Sequence, residues 1–353
     1  MISPALLSLV RCPDCGGTLE ASDGSRARCP GCSRIFEGSR GYLDLRPSAT
    51  FAEQTKYLDE ALHADARHES VAPPLLGSRI RNGRLREFLN LSRGDRVLDL
   101  GCGSGRALIW NSDTGAALTG IDISPFFARE AIDRSQLLLG DLRRLPLRDG
   151  AFDKAWSLDV FEHLSPRALQ DVLREAHRVL APGGALFVYT HVRKNGPVAR
   201  GVRLVNGLAH VCERLGLIDL RQERLRKSDH LNPIADHDEL RSVLARAGFE
   251  IERITYYTPI LGAFIENVVV RIAERLLTRA VQRSKRSKAT ASGLETSPSD
   301  SAARLARTSA TARIRKRGAT YWVLRLLSAA MMVDIRLFGR MQSGPFFALL
   351  RKK

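Results

Sequence analysis

The chain has 353 residues, 44% of them hydrophobic and 26% charged. That apolar content is enough to bury a core, and it excludes wholesale disorder and collagen-like repeats. The net charge of +17 is uneven: residues 1–270 carry 36 basic and 34 acidic side chains, residues 271–353 carry 19 and 4, so a near-neutral body bears a basic tail that could meet RNA, anionic lipid or an acidic partner, or be a solvated linker that binds nothing.

The first ten residues, MISPALLSLV, are mildly apolar. They lack a basic n-region and run straight into Arg11-Cys12, so no signal peptide is expected. No run of 18 uncharged apolar residues occurs, which argues against a conventional spanning helix and for a cytoplasmic chain.

Four of the six cysteines form Cys12-Pro-Asp-Cys15 and Cys29-Pro-Gly-Cys32, separated by 13 residues. Two such knuckles match tetrahedral zinc thiolate ligation, with Gly16, Gly17 and Gly31 easing the turns. The alternative is two disulfides in an exported domain, which the missing leader disfavours. With four Cys and no other polar ligand the zinc would be structural, and it would hold together a ribbon (residues 1–46) too small for a core of its own. Gly41-Tyr42-Leu43-Asp44-Leu45 reads as a last short strand leaving that ribbon. Residues 47–92 look helical, broken at Pro73-Pro74, with Ile80, Leu85, Phe88 and Leu89 giving the last part an amphipathic pattern.

From Val97 to Leu100 an apolar strand runs into Gly101-Cys102-Gly103-Ser104-Gly105 and then a helix starting at Arg106. Strand, glycine loop and helix in that order make a nucleotide-binding turn, since glycines allow close backbone approach and a helix N-terminus favours an anion. Further strands follow at Leu118–Asp122, Leu137–Asp141 and Phe152–Asp159, each ending in an acid, and another at Ala185–Thr190 after the turn Ala181-Pro182-Gly183-Gly184. An acid closing the second strand can accept hydrogen bonds from ribose hydroxyls.

The segments VLDLGCGSG, TGIDIS, GDLRRLPLRDGAFDKAWSLDVFEHL and RVLAPGGALFVYT, within residues 94–192, together resemble class I S-adenosylmethionine-dependent methyltransferases of the type 11 kind. The resemblance implies an α/β fold: a Rossmann-like seven-stranded sheet of order 3-2-1-4-5-7-6 with strand 7 antiparallel, spanning residues 93–258 and closed by a last strand in 344–353. It also implies S-adenosylmethionine as cofactor. Asp99, Gly101, Gly103 and Gly105 would line its methionine end, Asp122 would hold the ribose, and Ile123 would pack on adenine. Asp141 and the Leu142 backbone would meet the adenine edge, and Asp159 would face the reacting centre. For each acid the plain alternative is a helix cap or loop residue.

Asp159-Val160-Phe161-Glu162-His163 resembles the acid-x-x-Glu-His pattern of ubiquinone-biosynthesis O-methyltransferases, where these groups are associated with a divalent metal. Here His163 could act as base or acceptor contact, the group could ligate a metal, or His163 could pack under an acceptor lid. His191 and His230 could reach the acceptor pocket or sit in surface loops. His177 is expected to be structural, and residues 195–228 to form a lid of one or two helices.

Residues 259–343 read as an insertion before the last strand, which is expected at Phe346–Lys353. Its first part, Ile260–Arg283, presents an apolar stripe at Phe264, Val268, Ile272 and Leu276. Its middle, 284–318, holds nine basic, two acidic and eleven Ser or Thr residues, and is expected to be disordered. Its last part, Tyr321–Met341, has Leu324, Leu327, Met331, Ile335 and Phe338 on one face and Arg325, Arg336 and Arg340 on another. Helices 260–283 and 321–341 would either attach the chain peripherally to the inner face of a membrane or fold over the acceptor site.

Three functions follow. The favoured one is methyl transfer to an O or N atom of a small or lipid-linked metabolite. The second is methylation of ribosomal RNA, because some bacterial ribosomal-RNA guanine methyltransferases resemble this chain in joining a zinc ribbon to such a core; they lack DVFEHL and the long insertion. RNA contact would fall to ribbon residues such as Arg26, Arg28 and Arg34. The third is a non-catalytic cofactor-binding adaptor.

Overall fold

The computed structural model describes residues 2–48, 71–220, 224, 230–277, 279, 314 and 317–353. The chain opens with α1 (Pro4–Leu9), started by Pro4 and by the Ser3 side chain, which accepts from the Leu6 amide. Three short antiparallel strands follow: β1 (Glu20–Asp23), β2 (Arg26–Arg28) and β3 (Ile35–Glu37). Ala27 and Phe36 pair across β2 and β3 and are both buried.

The last ribbon strand, β4 (Leu43–Asp44), does not leave the ribbon for a linker. It pairs in parallel with β7 (Gln136–Leu139), Leu43 opposite Leu138 and Asp44 opposite Leu139, and the Leu45 amide donates to Leu139 O at 2.9 Å. The sheet therefore has eight strands, not seven. A sheet edge offers unpaired backbone groups, and Leu43 and Leu45 bury their side chains there, so a two-residue strand is held. Leu6, Val10 and Phe36 of the ribbon share one apolar cluster with Leu45, Leu138 and Leu147. The polypeptide on either side of residue 46 thus has a continuous core.

The remaining strands are β5 (Arg96–Leu100), β6 (Ala117–Asp122), β8 (Phe152–Leu158), β9 (Leu180–His191), β10 (Phe249–Tyr256) and β11 (Pro345–Lys352). The order is β10-β11-β9-β8-β5-β6-β7-β4, with β11 antiparallel to both neighbours. Apart from β4, this is the expected order. Helices cover both faces, which is why the central strands are mostly apolar and buried. On one face lie α2 (Gly77–Leu89), α3 (Arg106–Asn111) and α4 (Arg129–Arg134), with Ile80, Phe88, Leu108 and Ala131 packed on Val97, Trp156 and Phe187. On the other lie α5 (Pro166–Val179) and α7 (His237–Arg246), with Val172 and Leu240 packed with Leu98, Ile121 and Leu186. β11 alternates accordingly, Phe346, Ala348 and Leu350 to one face and Phe347 and Leu349 to the other.

Between β9 and α7 the chain forms α6 (Ala199–Arg214). The helix expected before Pro73 and the disordered stretch expected at 284–318 fall largely outside the described residues. After β10, α8 (Ile260–Phe264) continues as a π-helical segment, Ile265–Val270. The predicted stripe turns inward only in part: Val268 is buried with Ile272 packed against its cluster, and Ile265 is buried as well, whereas Phe264 and Leu276 are exposed. Helix α9 (Ala319–Phe338) does turn its predicted face inward, with Met331 and Ile335 buried. Two polar side chains fix it there. Asp334 accepts from the Leu261 and Gly262 amides at 3.0 and 2.7 Å, and Ser328 Oγ accepts from the Leu76 amide at 2.7 Å. No described helix is long and apolar enough to cross a membrane.

Since ribbon and sheet share a core, Leu45→Ala is expected to cost about 2–4 kcal/mol of whole-chain stability. Urea unfolding followed by far-ultraviolet dichroism should show one transition moved to lower denaturant. A ribbon transition separate from an unmoved main transition would contradict the shared core.

Candidate active site

The carboxyl ends of the parallel strands bring the sequence-predicted residues to one edge. β5 leads into Gly101 and Gly103, both with positive φ (77° and 53°). A Cβ on Gly101 would lie 2.6 Å from the Val160 side chain, so that glycine permits close packing. A Cβ on Gly103 would meet nothing within 4 Å: that side of the loop is open. Asp122, ending β6, accepts from the Gly103 amide at 2.8 Å and from the Ser124 amide at 2.9 Å, tying the glycine loop to the next strand. Asp141 follows β7 and caps the turn 142–144, accepting from the Arg143 amide at 2.9 Å. The plain alternative for this acid, a cap, is thus present in its geometry. Ile123 and Leu142 are half-buried beside these acids.

Asp99 is buried between Gly120 and Trp156 of the flanking strands, and one of its carboxylate oxygens has no hydrogen-bond partner. Burial, with the charge of Asp122 nearby, pushes its pKa up to about 8. A buried, unsatisfied acid beneath an open glycine loop is the kind of group a cationic ligand would satisfy.

A second group of side chains gathers one strand over. Asp159 follows β8 with φ of 55°, and its amide donates to Tyr189 O at 3.1 Å. Arg81 of α2 lies 3.5 Å from the Asp159 carboxylate and stacks 5.5 Å from the Tyr189 ring centre. Glu162 is buried; its carboxylate accepts from Thr190 Oγ1 at 2.9 Å, and its backbone carbonyl accepts from the Leu231 and Asn232 amides at 2.8 and 2.9 Å. Those two amides hold His230 over the turn. His163 and His230 meet edge to face at 4.6 Å between ring centres, and His191 lies 5.5 Å from His230. Glu162, His163 and His230 place a carboxylate oxygen and two ring nitrogens within 4.8 Å of one another, a donor set that could take a divalent ion or pass a proton.

His177, by contrast, packs on Phe249 away from this edge. Sequence reasoning missed Arg81, Tyr189 and Thr190. Arg81 sits in a helix recognised only by its apolar spacing, and no local motif marks it.

In the ribbon, Cys12 Sγ and Cys32 Sγ lie 3.6 Å apart, and Cys15 Sγ and Cys29 Sγ 3.4 Å apart; all four sulfurs lie within 4.8 Å of one another and none is in a disulfide. Zinc–sulfur bonds of ~2.3 Å in a tetrahedron require sulfurs ~3.8 Å apart, so the set fits the metal. The knuckles close through Gly16 N donating to Cys12 O and Ser33 N to Cys29 O. The first knuckle also rests on the loop after β7, where Arg144 donates to Asp14 O and the Arg11 amide to Pro146 O.

The family model described as "Methyltransferase domain" matches residues 98–188. A demethylmenaquinone methyltransferase of Tropheryma whipplei is 34% identical over 175 residues, 46% of this chain and 70% of that one. A sterol 4-C-methyltransferase of Caenorhabditis elegans is 35% identical over 118 residues, 31% of this chain and 35% of that one. Across several curated relatives the chain spans 35–57% of their length. Among solved structures, a phosphoethanolamine N-methyltransferase of Haemonchus contortus in complex with S-adenosyl-L-methionine aligns with 87% of this chain and 61% of its own, at 16% identity and a TM-score of 0.47.

Burial, and next the charge of Asp159, raise the pKa of Glu162 from 4.5 to about 7. The fold therefore disfavours its ionised form, and stability held below pH 4.5 is withdrawn as pH rises towards 7. Glu162→Gln keeps an acceptor for Thr190 without the charge. Urea titrations should show the variant gaining on the parent chain between pH 4.5 and 8, by up to ~3 kcal/mol. A stability difference independent of pH would contradict the assignment.

Proposed function

Since the chain belongs to the S-adenosylmethionine-dependent methyltransferases, we propose that it transfers a methyl group to an oxygen or nitrogen of a small or lipid-linked acceptor. The observation that carries this reading is the adjacency of two unlike sites on one sheet edge: an open glycine loop over an unsatisfied acid, and beside it a cluster of Glu162, His163, His191 and His230. The residues fit the cofactor. Gly101, Gly103, Gly105 and Asp99 would hold its methionine end, Asp122 its ribose, and Ile123, Asp141 and Leu142 its adenine. When bound, it supplies a methyl group on a sulfonium that is already a good leaving group.

What remains for the protein is alignment, exclusion of water and handling of the acceptor's proton. Asp159, held by Arg81, borders both sites and orients the acceptor against the cofactor pocket. His163 takes the proton from an acceptor hydroxyl or amine. Glu162 stabilises the resulting imidazolium, and His230 and His191 offer the proton a way out. Tyr189 and Arg81 wall the acceptor side. Relatives named for a sterol and a menaquinone substrate support a lipid-like acceptor. RNA is less favoured: Arg26 is paired with Asp23 and Arg34 with Asp14, so two of the ribbon's arginines are already neutralised. The Cys12, Cys15, Cys29 and Cys32 set we read as a structural zinc site, since four thiolates fill a tetrahedral shell and leave no coordination position for a substrate.

Methyl label from labelled cofactor, offered to separated lipid, small-molecule and RNA extracts, should enter the lipid or small-molecule fraction; label confined to RNA would overturn this acceptor class. Calorimetry with S-adenosylhomocysteine should show Asp122→Ala weakening binding about 10- to 100-fold with the fold retained. Metal analysis should find one zinc per chain, lost together with thermal stability in Cys29→Ser. Four freely titratable thiols and no zinc in folded protein would reject the ribbon site.

A further inference from the structure

Large apolar side chains left in water are concentrated on one group of helices. α6 turns Leu204, Leu208 and Val211 outward, and Leu215 at its C-terminal cap continues the line, at 45–77% exposure, while Ala209 and Cys212 on its other side are buried with Val268. Spacings of four, three and four residues make this a regular helical stripe. α9 is doubled in the same way. Its inner face is anchored by Met331, Ile335 and the Asp334 and Ser328 hydrogen bonds, yet Trp322, Val323, Leu326 and Leu337 point to solvent at 56–72% exposure. Outside α6, α9, their flanks and the helical stretch from α8 to Leu277, which adds Phe264, Leu276 and Leu277, the exposed large hydrophobics among the described residues are Ile35 and Leu231. α8 connects the two stripes: Asn206 of α6 bonds Asn267 of the π segment at 3.1 Å, and Asp334 of α9 caps α8. An apolar array of this extent on one helical layer marks an interaction surface.

Charge selects the partner. The layer carries Arg200, Arg203 and Arg214 on α6 and Arg325, Arg336 and Arg340 on or beside α9. Its acids are spent elsewhere. Glu266 accepts from the Gly77 amide and Asp334 from α8, both inward, and Glu213 and Glu274 are paired with Arg224 and Arg271. The sequence between α8 and α9 adds nine basic against two acidic residues in 284–318. A second copy would meet positive charge with positive charge. Aliphatic side chains ringed by arginine suit the boundary between anionic headgroups and acyl chains, where long basic side chains keep their stems in the apolar layer and their charge in the headgroups.

We propose that the outer faces of α6 and α9 dock the protein on an anionic lipid bilayer. The docking face is distinct from the one the sequence pointed to, because the predicted stripe of α9 is consumed by the core. It is also joined to the acceptor end, since Ser328 and Glu266 hold the first residues of α2, the helix that carries Arg81 towards Asp159. Docking does not depend on which acceptor is methylated.

The test is co-sedimentation of the full chain with phosphatidylcholine vesicles, with and without about one-third phosphatidylglycerol. Parent protein should bind the anionic vesicles, bind neutral ones far less, and release when salt rises to about 0.5 M. The combined variant Leu204→Ser, Leu208→Ser, Leu326→Ser and Leu337→Ser should lower partitioning at least about 30-fold, with S-adenosylhomocysteine affinity and helix content unchanged. Equal binding to neutral and anionic vesicles, no binding to either, or full binding by the variant would overturn the proposal. So would a stable dimer in solution that the same substitutions dissolve, which would assign the face to a second copy.

Discussion

β5 is paired in parallel on both sides, with β6 through Arg96–Leu100 and with β8 through Val97–Asp99. The chain runs outward from β5 in one direction and returns to its other side in the opposite direction. Loops leaving the carboxyl ends therefore diverge at this strand, and a crevice opens between them. Asp99 sits in β5 opposite both Gly120 and Trp156, so its carboxylate lies beneath that crevice. The glycine loop continues from β5, the Asp122 and Asp141 turns stand on one side of it, and the Asp159–His163 turn stands on the other. The two halves of the proposed chemistry meet because the strand order reverses between β5 and β8.

How much of this was legible in sequence depended on whether a feature is local. The geometry of the glycine-loop side was legible: each element is a short strand followed at once by its own loop, and the hydrogen bonds that fix it, such as Asp122 to Gly103, join neighbouring strands in a standard order. The acceptor half was partly legible. Glu162 and His163 lie in one turn, and His191 and His230 were marked only by chemical type. What brings His230 in is a pair of backbone bonds to Glu162 O, which no side-chain pattern announces. Arg81 comes from a helix nearly eighty residues upstream of its partner Asp159, and only tertiary packing assigns it.

What periodicity missed has separate physical causes. Periodicity gives a helix face on the assumption of 3.6 residues per turn, and the π segment at Ile265–Val270 interrupts it, so Val268 and Ile272 of the predicted stripe face inward while Phe264 and Leu276 finish in solvent. Helix α9 defeats the method differently. It is apolar on two sides, and a moment reports only the difference between them. The strand β4 is two residues long and pairs with a segment 95 residues away, too little pattern for any local rule to place in the main sheet.

That two-residue pairing has a consequence for anyone trimming the chain. The matched family segment covers only 98–188, and a fragment cut to the catalytic region would leave the outer side of β7 bare, with the Leu139 carbonyl unpaired and Leu138 uncovered. Exposed strand margins of this kind recruit other strands. The amino-terminal module is therefore a lid on a sticky border, and its removal would favour aggregates over a smaller working protein.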